Sequence, residues 1–236
     1  MAEENPGAGS GILGMFNAFV DPAGLAKAVK AKLFWLWPLI LLSIIFAVVG
    51  SLMMPFALQL GEVRLAQQSI PPERLENARN MTRIITQVFV YLAPIFLVLF
   101  TMLGAWLVGV TGSIVGVRAK FRDIFSLMMA CALIGALQYI ATYIVLRTKG
   151  DEITSQEQMA PAFGLDIFIP AHGVLLALLN FFSIFEIWSM VILALALASL
   201  TGSSKGKAFV AITPAWLIPL IFKIIGALFS GGTSSS

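Results

Sequence analysis

Charge is scarce in this sequence. Asp, Glu, Lys and Arg make up 11% of the residues against 59% hydrophobic, and the mean hydropathy is +0.94. That is too little polar surface to clothe a water-soluble globule. The single cysteine, Cys131, lies inside an apolar run, which excludes an intrachain disulfide framework and a cysteine-based metal site. The single histidine, His172, has no second histidine or cysteine near it; it is a poor metal ligand and is expected at a membrane interface. No HExxH motif occurs, and neither an enzyme nor a cofactor is expected. The formal net charge of +3 gives no reason to invoke nucleic acid. A cleavable signal peptide is not expected, because residues 1–30 contain acids and no apolar core precedes Leu33. The short alternating segments of a transmembrane β-barrel are missing as well.

What the chain does have is continuous apolar runs. They predict an all-α membrane protein with five transmembrane helices and a short N-terminal amphipathic helix, N-in/C-out. The expected organisation is a disordered segment at 1–14, one membrane domain over 15–230 and a flexible tail at 231–236. Asp21-Pro22 reads as a helix start, carboxylate at the N-cap and proline in the first turn. Asp21–Lys32 then forms either a short amphipathic helix lying on the membrane surface or a solvated lead-in to the first span. The spans are expected near Leu33–Leu58, Val88–Thr111, Ile124–Leu146, Ala171–Leu200 and Ala208–Ser230. Trp35 and Trp37 anchor the first at the interface. Pro55 is expected to bend or end it, Pro94 to kink the second, and Pro214 and Pro219 to interrupt the fifth. ERLENARNMTRI, residues 73–84, has good helix formers and can run unbroken into the second span; the connection 147–166 reads as irregular.

Lys and Arg in the short loops set the orientation. With the N-terminus inside, the inner segments carry Lys27, Lys30, Lys32, Arg118, Lys120, Arg122, Lys205 and Lys207, in three tight clusters. The outer loops carry Arg64, Arg74, Arg79, Arg83, Arg147 and Lys149, interleaved with acids. The inner clusters form a candidate surface for anionic lipid headgroups. Gly202–Lys207 is one residue short of a phosphate-binding loop, and Ala208 replaces the required Ser/Thr, so that reading fails. Gly112 and Gly116 stand at GxxxG spacing, and Cys131/Gly135 and Ala132/Ala136 are small-residue pairs. They are compatible with close helix packing within a protomer or in a homo-oligomer.

Glu186 is the one carboxylate of the fourth span. Near the midplane, an ionised group costs roughly 2.5–3.5 kcal/mol on insertion scales. Helix geometry puts it ~21 Å from the outer end of its span and Lys223 ~10 Å from the outer end of the fifth. Asn180 lies between them in depth. Glu186, Asn180, Lys223 and His172, with Gln138 on the third span, therefore form a candidate polar track for an ion or a lipid headgroup. The alternative is a structural hydrogen-bond clasp, or a protonated Glu186 with Lys223 reaching outward.

Phe19-Val20-Asp21-Pro22, a basic helix and Trp35-Leu36-Trp37-Pro38-Leu39 together resemble the opening of bacterial Yip-domain (Ypt/Rab GTPase-interacting protein) membrane proteins. Phe185-Glu186-Ile187-Trp188-Ser189 and Ser204-Lys205-Gly206-Lys207-Ala208 are similar to a second signature of that family. Gly116, Lys120 and Phe121 fit its glycine-and-basic connection before the third span. The resemblance covers about residues 16–225. It implies a five-helix domain with a cytoplasmic N-terminus; eukaryotic members associate with Rab-type GTPases in vesicle traffic. The Asp-Leu-Tyr-Gly-Pro stretch of those members is missing here, so a Rab-type GTPase partner is not expected. The short loops point to a bacterial inner membrane. Two functions are carried forward. One is a non-catalytic organiser or adaptor binding lipids and an unidentified membrane-protein partner; the other is a small transporter or lipid-translocating protein using the Glu186 track.

Overall fold

In hydrocarbon the backbone has no hydrogen-bond partner but itself, and the regular elements are all helical among the described residues. The structure, a computed structural model, describes residues 8–67, 71–150, 158–159, 161–169 and 171–231. In chain order the helices are α1 Ala8–Met15, α2 Asn17–Val20, α3 Pro22–Ala28, α4 Leu36–Gln67, α5 Pro72–Val115 and α6 Phe121–Lys149. A 3-10 turn at Leu165–Ile167 precedes α7 Gly173–Phe181, α8 Ile184–Thr201 and α9 Lys205–Gly231. Five of them, α4, α5, α6, α8 and α9, are long and apolar enough to cross a membrane. Phe100, Trp106, Ile114, Ile144 and Phe222 are exposed along them, a surface that suits lipid and not water.

The chain divides into two compact units. The first comprises Met1–Leu41, Val98–Gly135 and Ala162–Ser236; the second, Leu42–Leu97 and Ala136–Pro161. The helices α4, α5 and α6 each contribute to both along their length. In the first unit Leu25, Val29, Phe34, Leu127, Ile134, Leu197 and Ile212 are fully buried or nearly so. The core of the second is Val49, Met53 and Leu146, packed with Phe56, Tyr139 and Tyr143.

Several expectations need correction. Residues 8–14, read as disordered, belong to α1, because Gly11 and Gly14 let the helix approach Trp37, Ala28 and Phe34 closely. Residues 1–7 and 232–236, read as disordered or flexible, lie outside the described residues. The prolines do not end their helices: α4 runs through Pro55 to Gln67, and α9 through Pro214 and Pro219. The α4 helix, ending at Gln67, and α5, beginning at Pro72, both extend well past the expected span bounds at Leu58 and Val88. The α5 helix does run unbroken from the 73–84 segment into the second span.

The helix expected over Asp21–Lys32 is present and shorter, α3 ending at Ala28. Asp21 caps α3, its Oδ1 accepting the Gly24 N–H at 2.9 Å. However, Leu25, Ala26 and Val29 are buried, and α3 packs along α8. The Trp188 indole Nε1 donates to the Phe19 carbonyl at 3.0 Å, with the rings 5.9 Å apart. The α3 helix is thus held against the flank of α8 with Leu25, Ala26 and Val29 covered by protein, while Leu13, Phe16 and Val20 before it stay exposed.

Candidate functional site

The largest departure from expectation is in the fourth span. The run Ala171–Leu200 contains no internal proline, yet it is two helices. Phe182 leaves helical geometry at φ −79°, ψ 48°, and Ser183 is extended at φ −69°, ψ 155°. The Ser183 Oγ accepts the Glu186 N–H at 3.1 Å. Ser183-x-x-Glu186 is the sequence of a capping box, and it starts α8 in the middle of the run. Glu186 sits in the first turn of α8, where the exposed N–H groups favour a negative charge.

A segment preceding α7 is fitted to this break. The Phe163 carbonyl accepts the Ile184 N–H at 3.0 Å. Asp166 accepts from the Gly164 N–H at 2.9 Å through Oδ1 and from Asn180 Nδ2 at 3.0 Å through Oδ2. Gly164 is pressed so closely to the break that a Cβ would lie 2.7 Å from the Leu179 carbonyl oxygen and 2.8 Å from that of Phe182. Phe163 and Phe185 meet edge to face at 5.6 Å. The connection read as irregular therefore ends in an ordered clamp. Its Leu165, Ile167, Phe168 and Ile169 are exposed.

On the other side of the break stands α9. Trp216 packs on Phe181 and Phe182, ring centroids 4.6 and 5.6 Å apart. The Lys223 Nζ lies 5.5 Å from the Phe181 ring centroid, a cation–π placement, and its charge acts on the Glu186 carboxylate. The Trp216 Nε1 is buried beside that carboxylate, but no hydrogen bond of standard geometry closes to it among the described residues.

Depth follows from helix register. The Ser189 Oγ and the Cys131 carbonyl are 3.5 Å apart. Cys131 is ~10 Å along α6 from Ile124, where the charge-free stretch of that helix begins, and Glu186 is ~5 Å beyond Ser189 along α8. Glu186 thus lies ~15 Å into a hydrocarbon layer of ~30 Å. Measured from the ends Thr201 and Lys205, Glu186 is at ~22 Å and Lys223 at ~27 Å. Their offset is about half that expected of a straight fourth span.

The five residues of the expected polar track are not all gathered here. Lys223 lies over the Phe181 ring and its charge acts on Glu186. Asn180 is bound to Asp166. His172 is the exposed residue just before α7. Gln138 belongs to the second unit, where its carbonyl accepts from Thr142 Oγ1 at 2.9 Å. Sequence reasoning missed Gly164, Asp166, Ser183 and Trp216; only the Ser183–Glu186 spacing carried a signal.

Elsewhere in the first unit, two contacts join chain segments that carry basic residues. Lys27, Lys30, Arg118, Lys120, Arg122, Lys205 and Lys207 are all exposed. Arg122 Nη2 donates to the Lys30 carbonyl at 3.3 Å, joining the end of the α3 segment to the start of α6. Arg122 also pairs with Asp123 at 3.0 Å. The Lys207 Nζ is 3.9 Å from where a Gly116 Cβ would stand, so the α5–α6 and α8–α9 connections adjoin. No group of three or more His, Cys, Asp or Glu able to hold a metal occurs among the described residues.

These features define a multi-pass α-helical membrane protein. The Yip1-domain family model matches residues 16–227, and the chain belongs to that family. It is similar to the membrane protein YknW of Bacillus subtilis (strain 168), 24% identical over 231 residues, covering 97% of this chain and 96% of the relative. No solved structure matches the chain.

Proposed function

We propose that this Yip1-domain protein is a non-catalytic organiser of a bacterial inner membrane, oriented N-in/C-out. In this reading it recruits anionic lipid headgroups, and through them or beside them another membrane protein, to its basic inner face. The observation that carries the reading is that Arg122 reaches the Lys30 carbonyl and Lys207 Nζ stands beside Gly116, joining basic segments from separate parts of the chain within one unit. Each such cation near an anionic surface contributes about 1 kcal/mol of attraction. The test is to excise wild type and a Lys30→Gln/Lys205→Gln/Lys207→Gln variant into polymer-bounded discs and quantify the co-isolated lipid. The variant should carry a smaller anionic fraction; an unchanged fraction would remove the basis of the proposal.

A second reading, a small lipid-translocating or transport protein, is favoured by the interrupted fourth span. Discontinuous helices present backbone groups and charges at membrane depth in many transporters, and here the break carries Glu186, on which the charge of Lys223 acts. A flux or lipid-scrambling assay in liposomes comparing wild type with Glu186→Gln decides it. Flux lost in a folded variant supports this reading, and no flux in wild type rejects it.

A further inference from the structure

The seam between α4 and α5 in the second unit holds two recesses of opposite character. The first, about 210 Å³, is lined by Glu62 from α4 and by Arg79, Asn80, Thr82 and Arg83 from α5, with Leu58 and Leu65 as its apolar flanks. The second, about 450 Å³, is lined by Phe46 and Gly50 of α4, by Thr86, Phe89 and Ala93 of α5, and by Tyr139. That volume falls in the range of small-molecule sites. The recesses follow one another along α5, where Thr86 Oγ1 bonds to the Thr82 carbonyl at 2.8 Å.

Their depths match the two parts of a phospholipid. Counted along α4 from Leu36, Gly50 is at ~21 Å and Gly61 at ~37 Å. The first value lies inside a ~30 Å hydrocarbon core and the second in the headgroup layer beyond it. Gly61 is level with Thr82, whose Cγ2 a Cβ would meet at 2.8 Å, and Gly50 with Val90, met at 2.9 Å. Arg83 is the last charged residue of α5 before its apolar run. It makes no ion pair among the described residues, while Arg79 reaches Glu62 at 3.9 Å with both side chains more than half exposed. Two guanidinium groups against one carboxylate leave the polar recess net positive, matched to a phosphate. The apolar recess below is walled by exposed Phe89 and by the Phe46–Tyr139 ring pair at 5.7 Å.

We propose that this seam binds one anionic phospholipid of the leaflet nearest the α4–α5 connection. Its phosphate sits on Arg83 and Arg79, and one acyl chain lies in the recess between Phe46, Phe89 and Tyr139. The site is distinct from the basic face formed by Lys30, Arg122 and Lys207.

The test uses the full-length chain in the Lys30→Gln/Lys205→Gln/Lys207→Gln background, so that lipid held by the basic face does not contribute. Native mass spectrometry would follow retention of phosphatidylglycerol, with phosphatidylcholine and glycerol 3-phosphate as headgroup and chain controls. One phosphatidylglycerol should be retained, about tenfold more tightly than phosphatidylcholine. Arg79→Gln/Arg83→Gln should weaken it about tenfold, as should Ala93→Phe, which fills the apolar recess. The arginine pair is exposed, so its substitution leaves the fold intact and decides the matter if Ala93→Phe proves unstable. Equal retention by the arginine variant, or by phosphatidylcholine, would overturn the proposal. So would glycerol 3-phosphate bound as tightly as the lipid, which would make this a free-anion site.

Discussion

Two spans of this protein invert the usual reading of proline. The α9 helix contains Pro214 and Pro219 and stays helical from Lys205 to Gly231. The run Ala171–Leu200 has none inside it and breaks at Phe182–Ser183. A proline removes one N–H and crowds one carbonyl, losses a helix in a protein environment can absorb as a kink. Near the first of its prolines, α9 also has the Thr213 hydroxyl bonded back to the Phe209 carbonyl at 2.9 Å. In the fourth span the backbone is offered something better than continuation. Ser183 takes the Glu186 N–H, Phe163 takes the Ile184 N–H, and Gly164 lets the clamp reach the backbone. A helix in lipid stops where its end groups find other partners, not simply where one bond is lost.

The contrast can be attacked at several points. Gly164→Val drives a side chain into the carbonyls of Leu179 and Phe182, and should cost about 3 kcal/mol by overpacking. The readout is a lowered midpoint of thermal unfolding in detergent, and an unchanged midpoint would mean the clamp is not seated on the break. Ser183→Ala removes the N-cap of α8 and should cost about 1 kcal/mol, in the same unfolding experiment. Trp188→Phe keeps the ring against Phe19 but loses the bond to its carbonyl, worth roughly 0.5–1.5 kcal/mol. Faster proteolysis of the N-terminal helices, with the remaining chain protected, is its expected sign. Pro219→Ala should have the smallest effect, within about 0.5 kcal/mol, because α9 already continues through that residue. A large change in helical circular dichroism there would erase the contrast.

Much of the architecture was legible. Runs such as Ile124–Leu146 announce a membrane helix by length and lack of charge, and α6 spans Phe121–Lys149. Asp21-Pro22 announced its helix start correctly. The break was less legible because a hydropathy run is blind to backbone hydrogen bonding. Ser183-x-x-Glu186 was visible, but an apolar sequence on both sides made it look like the interior of one helix. Asp166 and Gly164 carried no signal, since their role depends on a chain reversal that brings residue 164 back against residues 179 and 182. The contribution of Trp216 likewise exists only once α9 packs on α7.

The central claim is that the fourth crossing is two helices held apart by the Phe163–Asp166 clamp, with Glu186 at the head of the second. Paired cysteines in place of Asp166 and Asn180, in a Cys131→Ser background, test it most directly. Asn180 Nδ2 and Asp166 Oδ2 are 3.0 Å apart, so a short bifunctional thiol reagent added to the membrane-embedded protein should link the two cysteines within one chain. A chain whose paired thiols stay unlinked, while both react freely with a membrane-permeant maleimide, would contradict the account.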